Sequence, residues 1–155
     1  MGNTKTKNKK LIEKNIVIAE NNRDHVYKKI SKHLICDDAY TNRLVLKKYL
    51  IMFGCDVDEA ENGEEAINKV KANGEYETIW MDIKMPKMDG FECTENLRGI
   101  MAYHGQIIGL TGYVDDATIK RCINIGMDRV IAKPFDKKVI EAYIIDLRKT
   151  NRKNV

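Results

Sequence analysis

From residue 31 onward, short apolar runs alternate with stretches whose apolar positions recur at helical spacing. The runs are Ser31–Asp38, Cys55–Ala60, Thr78–Asp82, Gln106–Leu110 and Asp128–Ala132. Each is short, rich in β-formers and bounded by turn residues, which predicts buried strands. Between them, Thr41–Phe53 carries one apolar face (Val45, Tyr49, Phe53; Leu46, Leu50) and stops at Gly54. Further helices are predicted from Asn62-Gly63 through Ala66, Ile67 and Val70 to Gly74, from about Phe91 to Arg98, and from Asp115 to Gly126. The last starts at Asp136 and buries Ile140, Tyr143, Ile144 and Leu147, at i, i+3, i+4 and i+7.

Five strands alternating with five helices, on short connections and right-handed crossovers, define an α/β fold with a parallel sheet covered on both faces. The expected architecture is a three-layer, doubly wound, five-stranded sheet in the flavodoxin-like order 2-1-3-4-5. Residues 31–147 form this domain, between a basic N-terminal tail or linker (1–30) and a basic C-terminal tail (148–155). Within the first segment, Met1–Lys10 reads as disordered, Asn15–Asn22 as a small strand and Arg23–Lys32 as a polar helix or linker. Asn15–Asn22 mimics a first strand with an acidic end. Glu20, however, stands 62 positions before Asp82, against 44 for Asp38, and a compact fold has no place for the extra helix and strand.

Composition narrows the functional classes. The chain has 155 residues, 43% hydrophobic and 32% charged, enough for one unstapled core. Cys36, Cys55, Cys93 and Cys122 stand far apart without a C-x-x-C pair, which favours a reduced, cytoplasmic chain over a disulfide framework or zinc site. No membrane span or secretory signal is legible. The net charge of +4 divides unevenly: +6 over residues 1–32, −6 over 33–147 and +4 over 148–155. An acidic body excludes nucleic-acid binding through the folded domain. Membrane contact is expected only if the tail is lipidated; Met1-Gly2-Asn-Thr-Lys-Thr6 fits the myristoylation pattern, a short one that often arises by chance.

The candidate chemistry sits at the strand ends. Asp37 and Asp38 end the first core strand, Asp82 the third, Thr111 the fourth and Lys133 the fifth. In a parallel sheet these ends share one edge, where α/β proteins place their sites. Three carboxylates in one crevice repel, so either one takes up a proton or a divalent cation neutralises them. All-oxygen donors favour a hard ion such as Mg²⁺. Thr111 and Lys133 add a hydroxyl and a compact cation, the partners a phosphoryl group needs. Each residue alone has a bland role as a cap or turn; the five together point to a phosphoryl group carried on Asp82.

The residues Asp37-Asp38, Thr41-Asn42-Arg43, Asn62-Gly63, Asp82 with Met85-Pro86 and Met88-Asp89-Gly90, Thr111-Gly112 and Lys133-Pro134-Phe135 carry a clear resemblance. The sequence resembles a receiver domain of the two-component response-regulator family, most like those attached to hybrid sensor histidine kinases. The resemblance implies that Asp82 accepts a phosphoryl group from a histidine kinase or histidine phosphotransfer protein. It implies that Asp38, Asp82 and the backbone carbonyl of Lys84 bind Mg²⁺ with help from Asp37, and that Thr111 and Lys133 bind the phosphoryl oxygens. It implies a signalling domain rather than an enzyme. One departure is visible: Val130 stands where the family commonly has an aromatic switch residue. Lys84 and Tyr113 occupy loop positions that shield the acceptor, so a longer-lived phospho-form is expected. The alternatives are an aspartyl-nucleophile phosphatase or phosphotransferase of similar fold, and a receiver-like binding module. The first needs a second Asp two residues after the nucleophile, where this chain has Lys84. The second is expected to lack part of the five-residue set, and none is missing.

Overall fold

The computed structural model describes residues 30–153. Along the chain run β1 (Lys32–Cys36), α1 (Tyr40–Met52), β2 (Asp56–Ala60), α2 (Gly63–Asn73), β3 (Thr78–Asp82), α3 (Gly90–Glu95), β4 (Gln106–Thr111), α4 (Asp116–Asn124), β5 (Arg129–Ala132) and α5 (Lys137–Lys153). All four strand pairings are parallel and the order is 2-1-3-4-5, as the alternation predicts. The readings of Met1–Lys10, Asn15–Asn22 and the lipidation pattern lie outside the described residues.

Every residue of β3 is buried, because helices cover both sheet faces. On one face Leu34, Ile79, Met81 and Ile107 pack with Ala66, Val70, Cys93, Leu97 and Cys122. On the other, Ile35, Trp80, Ile108 and Leu110 pack with Leu46, Leu50, Ile140, Tyr143 and Ile144. The alternation along Ile79-Trp80-Met81 sends successive side chains to opposite cores, the two-residue period of a strand. Trp80 satisfies its indole N–H by donating to Nδ1 of the fully buried His33 at 3.1 Å.

Side-chain caps fix three helix starts beside the C-terminal ends of the strands. Asn62 accepts from Glu65 N at 3.0 Å, Asp89 from Glu92 N at 2.9 Å and Asp115 from Thr118 N at 2.9 Å. Gly90 lets α3 start directly against β3: a Cβ there would collide with the Asp82 carbonyl oxygen. Its N–H donates to Ile83 O at 3.0 Å, closing the loop that follows Asp82.

Three differences from the sequence expectation have local causes. β1 ends at Cys36, so Asp37 and Asp38 lie in the turn beyond the ladder. The helix expected over Phe91–Arg98 begins at Gly90 and widens into a π-turn over Asn96–Ile100, which leaves Ile100 81% exposed. The segment 148–155, expected as a tail, is helical as far as Lys153. There Arg148 donates to the Phe53 carbonyl at the end of α1, and Asn151 donates to Glu77. Polar contacts extend α5 where its apolar face has ended.

Candidate functional site: an acidic turn bridged by a lysine

The turn after β1 folds around the fully buried Asp37 carboxylate. It accepts from Ala39 N at 2.9 Å, and the Asn42 amide lies 3.3 and 3.2 Å from its two oxygens. Asp38, next in the chain, is exposed. Asp82, at the end of β3, is 6% exposed. One oxygen from each of Asp37, Asp38 and Asp82 falls within 4.8 Å of the others.

Lys133 closes the group from β5. Its Nζ donates to Asp37 Oδ2 at 2.6 Å and lies 3.0 Å from Asp82 Oδ1. The Lys133 N–H donates to Thr111 O at 2.7 Å, which sets the lysine against the end of β4. Both polar contacts on Asp82 fall on the same oxygen, the second being the Lys84 N–H at 3.4 Å from Oδ1. Burial, with the repulsion of Asp37, raises the Asp82 pKa against the opposing pull of Lys133. Burial by itself would depress the Lys133 ammonium, but its bonds to Asp37 and Asp82 outweigh that and raise it.

Thr111 is 5% exposed at the adjacent strand end, and its hydroxyl is engaged locally. Oγ1 donates to Tyr113 O and accepts from Tyr113 N, both at 3.0 Å. The Lys84 ammonium stands 4.3 Å over the Tyr113 ring, joining the loops after β3 and β4. Val130 pairs with Gly109 in the ladder and packs half-buried against the core. A groove of about 480 Å³ opens beside the acidic turn, lined among others by Asp38, Lys84, Met85, Phe91 and Arg121.

Thus the three aspartates and Lys133 come together, while Thr111 lies on the same edge turned into its own loop. Two contributors had no assigned role in the sequence reading. Asn42 holds the Asp37 side chain. Arg43, 6% exposed, donates from Nη1 to Asp37 O at 2.8 Å. Both stand in the Thr41-Asn42-Arg43 motif, but only the packed turn shows what they touch.

The donor set suits a hard divalent cation. Mg²⁺ binds oxygens at about 2.1 Å, so opposite ligands stand about 4.2 Å apart, and the carboxylates need move only slightly to share one ion. A buried carboxylate, two neighbouring acids and a lysine thus share one sheet edge, the set of groups that phosphoryl chemistry requires.

The response regulator receiver domain model matches residues 34–145, and the chain belongs to that family. Among curated proteins, the osmosensing histidine protein kinase SLN1 of Saccharomyces cerevisiae is 34% identical over 120 residues, covering 74% of this chain and 10% of its own. Sensor protein EvgS of Escherichia coli (strain K12) is 38% identical over 114 residues, covering 74% and 9%. The chain therefore spans about a tenth of the length of these relatives. Among solved structures, a CheY-like response regulator receiver domain protein from Methanospirillum hungatei JF-1 superposes with a TM-score of 0.71 at 25% identity, covering 81% of this chain and 99% of its own. The CheX-CheY-BeF3-Mg+2 complex from Borrelia burgdorferi gives a TM-score of 0.70 at 27% identity, covering 75% and 87%. No helix among the described residues is long and apolar enough to cross a membrane.

Proposed function

We propose that Asp82 is the phospho-acceptor of this receiver domain and takes its phosphoryl group from a phosphohistidine on a histidine kinase or histidine phosphotransfer protein. The observation that carries the reading is the Lys133 ammonium bridging Asp37 and Asp82, with Asp38 beside them. In the transfer an Asp82 carboxylate oxygen forms a bond to phosphorus as the bond from phosphorus to the imidazole nitrogen breaks. The histidine leaves with its electron pair, and an acyl phosphate remains on Asp82.

Lys133 offsets the charge gathered on the phosphoryl oxygens, as a point cation does best at short range. Asp37, Asp38, Asp82 and the Lys84 carbonyl are the groups that would hold Mg²⁺. When bound, the ion supplies charge neutralisation for the incoming phosphoryl group. Thr111 must release Tyr113 to donate its hydroxyl to the phosphate, and that exchange loosens the loop leading into α4. The acyl phosphate carries about −1.5 to −2 charge at a buried position where the free carboxylate carried −1, enough to bias such a loop. With Val130 in place of an aromatic, the change passes through the Thr111–Tyr113–Lys84 contacts rather than through a swinging ring. Lys84 stands where hydrolases of similar fold carry the aspartic acid that protonates the leaving group, which weighs against the hydrolase reading.

Mixing the protein with a histidine phosphotransfer domain labelled on its histidine tests this. Label is expected to pass to the chain only with Mg²⁺, and not to Asp82→Asn. Transfer to Asp82→Asn at the wild-type rate overturns the assignment.

A further inference from the structure

The guanidinium of Arg43 reaches several groups around the acidic turn, and the function above does not employ it. It is 6% exposed, on the first turn of α1. Nη1 donates to Asp37 O at 2.8 Å, with Asp38 O at 3.4 Å. Nη2 donates to Glu61 Oε1 at 2.8 Å, in the loop between β2 and α2, and Nε faces Glu59 Oε1 at 3.4 Å. One planar fork thus joins the acidic turn, the end of β2 and the loop after it.

Burying an arginine is costly, and its ion pairs return little here. The Glu61 side chain is 65% exposed, so that pair is solvated and weak. A tie between α1 and β2 already exists in the Lys47–Glu59 pair, and the helix is further held by the buried Leu46 and Leu50. What Arg43 adds is a side-chain donor for main-chain carbonyls of the acidic turn. The ladder ends where Asp37 N donates to Ala60 O at 3.1 Å. Past that point Arg43 fixes the peptide planes from which the Asp37 and Asp38 side chains project. Its positive charge also offsets their mutual repulsion, without competing for the carboxylate oxygens as Lys133 does.

We infer that Arg43 is a positioning residue: its fork holds the Asp37 and Asp38 carbonyls so that both carboxylates meet at cation-binding geometry. This rests on the reading of the acidic turn as the Mg²⁺ site. Groups that orient ligands from behind commonly change metal affinity by about 10–100-fold, and arginine is not replaceable by lysine where two acceptors are held at once.

The experiment titrates MgCl₂ calorimetrically into wild type, Arg43→Met, Arg43→Lys and Glu61→Gln, with urea unfolding in EDTA as the fold control. Arg43→Met is expected to weaken Mg²⁺ binding on the order of tenfold. Its acetyl phosphate reaction should need correspondingly more Mg²⁺ yet approach the wild-type maximum. Arg43→Lys should recover stability without affinity, and Glu61→Gln should weaken binding less than Arg43→Met. A folded Arg43→Met with wild-type affinity, or full recovery of affinity by lysine, overturns the inference. If Arg43→Met does not fold, the lysine variant decides by the same criterion. Wild type that binds no Mg²⁺ overturns the reading of the site and this inference together. Wild type that binds while Arg43→Met binds equally overturns only the role of Arg43.

Discussion

The Lys133 ammonium lies 3.0 Å from Asp82 Oδ1 while bonded at 2.6 Å to Asp37 Oδ2. One side chain just past the last strand therefore offsets the repulsion between the carboxylate that follows β1 and the one that ends β3. That arrangement holds two carboxylates together at a buried edge through one shared cation.

Removing that ammonium should be felt in stability and chemistry alike. Lys133→Met leaves Asp37 and Asp82 without their shared donor, and a stranded buried acceptor costs about 1–3 kcal/mol. Urea unfolding in EDTA should show a loss of that size, and saturating Mg²⁺ should recover part of it. Phosphate uptake from acetyl phosphate should fall by about 100-fold, the scale of a lost charge-stabilising donor. Wild-type stability in EDTA would contradict the bridging role.

The raised Asp82 pKa sets the sign of a pH effect. The folded state binds this proton more tightly than the unfolded chain, whose carboxyl titrates near 3.8. Asp82 therefore contributes stability below that pH, and the contribution is lost as pH rises through the folded pKa. At neutral pH the ionised group is a liability that Asn removes. Asp82→Asn should be more stable than wild type in EDTA at pH 7, with the difference shrinking on acidification and on adding Mg²⁺. Thermal melts across that range check the sign.

His33 acts in the opposite direction. Burial, assisted by Arg148, lowers its pKa from 6.5 to about 4, and Nδ1 is committed to accepting from Trp80. The unfolded chain takes up this proton first, so stability present above pH 6.5 is lost as pH falls towards 4. The loss from this residue is on the order of 3 kcal/mol. A His33→Gln variant, which retains an acceptor, should show a flatter profile across that window. An unchanged slope would remove His33 from the account.

Lys84 and Tyr113 stand together over the acceptor loops, and the pair predicts a slow loss of phosphate. Phospho-protein freed of acetyl phosphate should keep its label for minutes or longer, and Lys84→Ala with Tyr113→Ala should shorten that lifetime severalfold. A wild-type lifetime of seconds would sink the shielding argument.

Strand order and the shared edge of the candidate site residues were legible because both follow from local patterns. The run Thr78–Asp82 ends in a carboxylate wherever its neighbours lie, and parallel alternation places all such ends on one edge. The role of Arg43 was not legible, since along the helix it reads as one more polar residue. It becomes buried only because β2 packs beside β1 and brings Glu59 and Glu61 to it. Likewise the apolar stripe of α5 ends at Leu147, and the helix continues on bonds from Arg148 and Asn151 to residues far away in sequence. The π-turn after Glu95 gave no periodic signal, because one extra residue per turn shifts the face without changing composition.

Whether Asp82 carries the phosphoryl group is decided by intact-mass analysis after incubation with Mg²⁺ and acetyl phosphate, followed by borohydride reduction and peptide mapping. Wild type should gain one acid-stable, base-labile phosphate, with the reduced residue at position 82, and Asp82→Asn should gain none. Phosphate found on another residue of the wild-type protein, or retained by Asp82→Asn, would contradict the assignment.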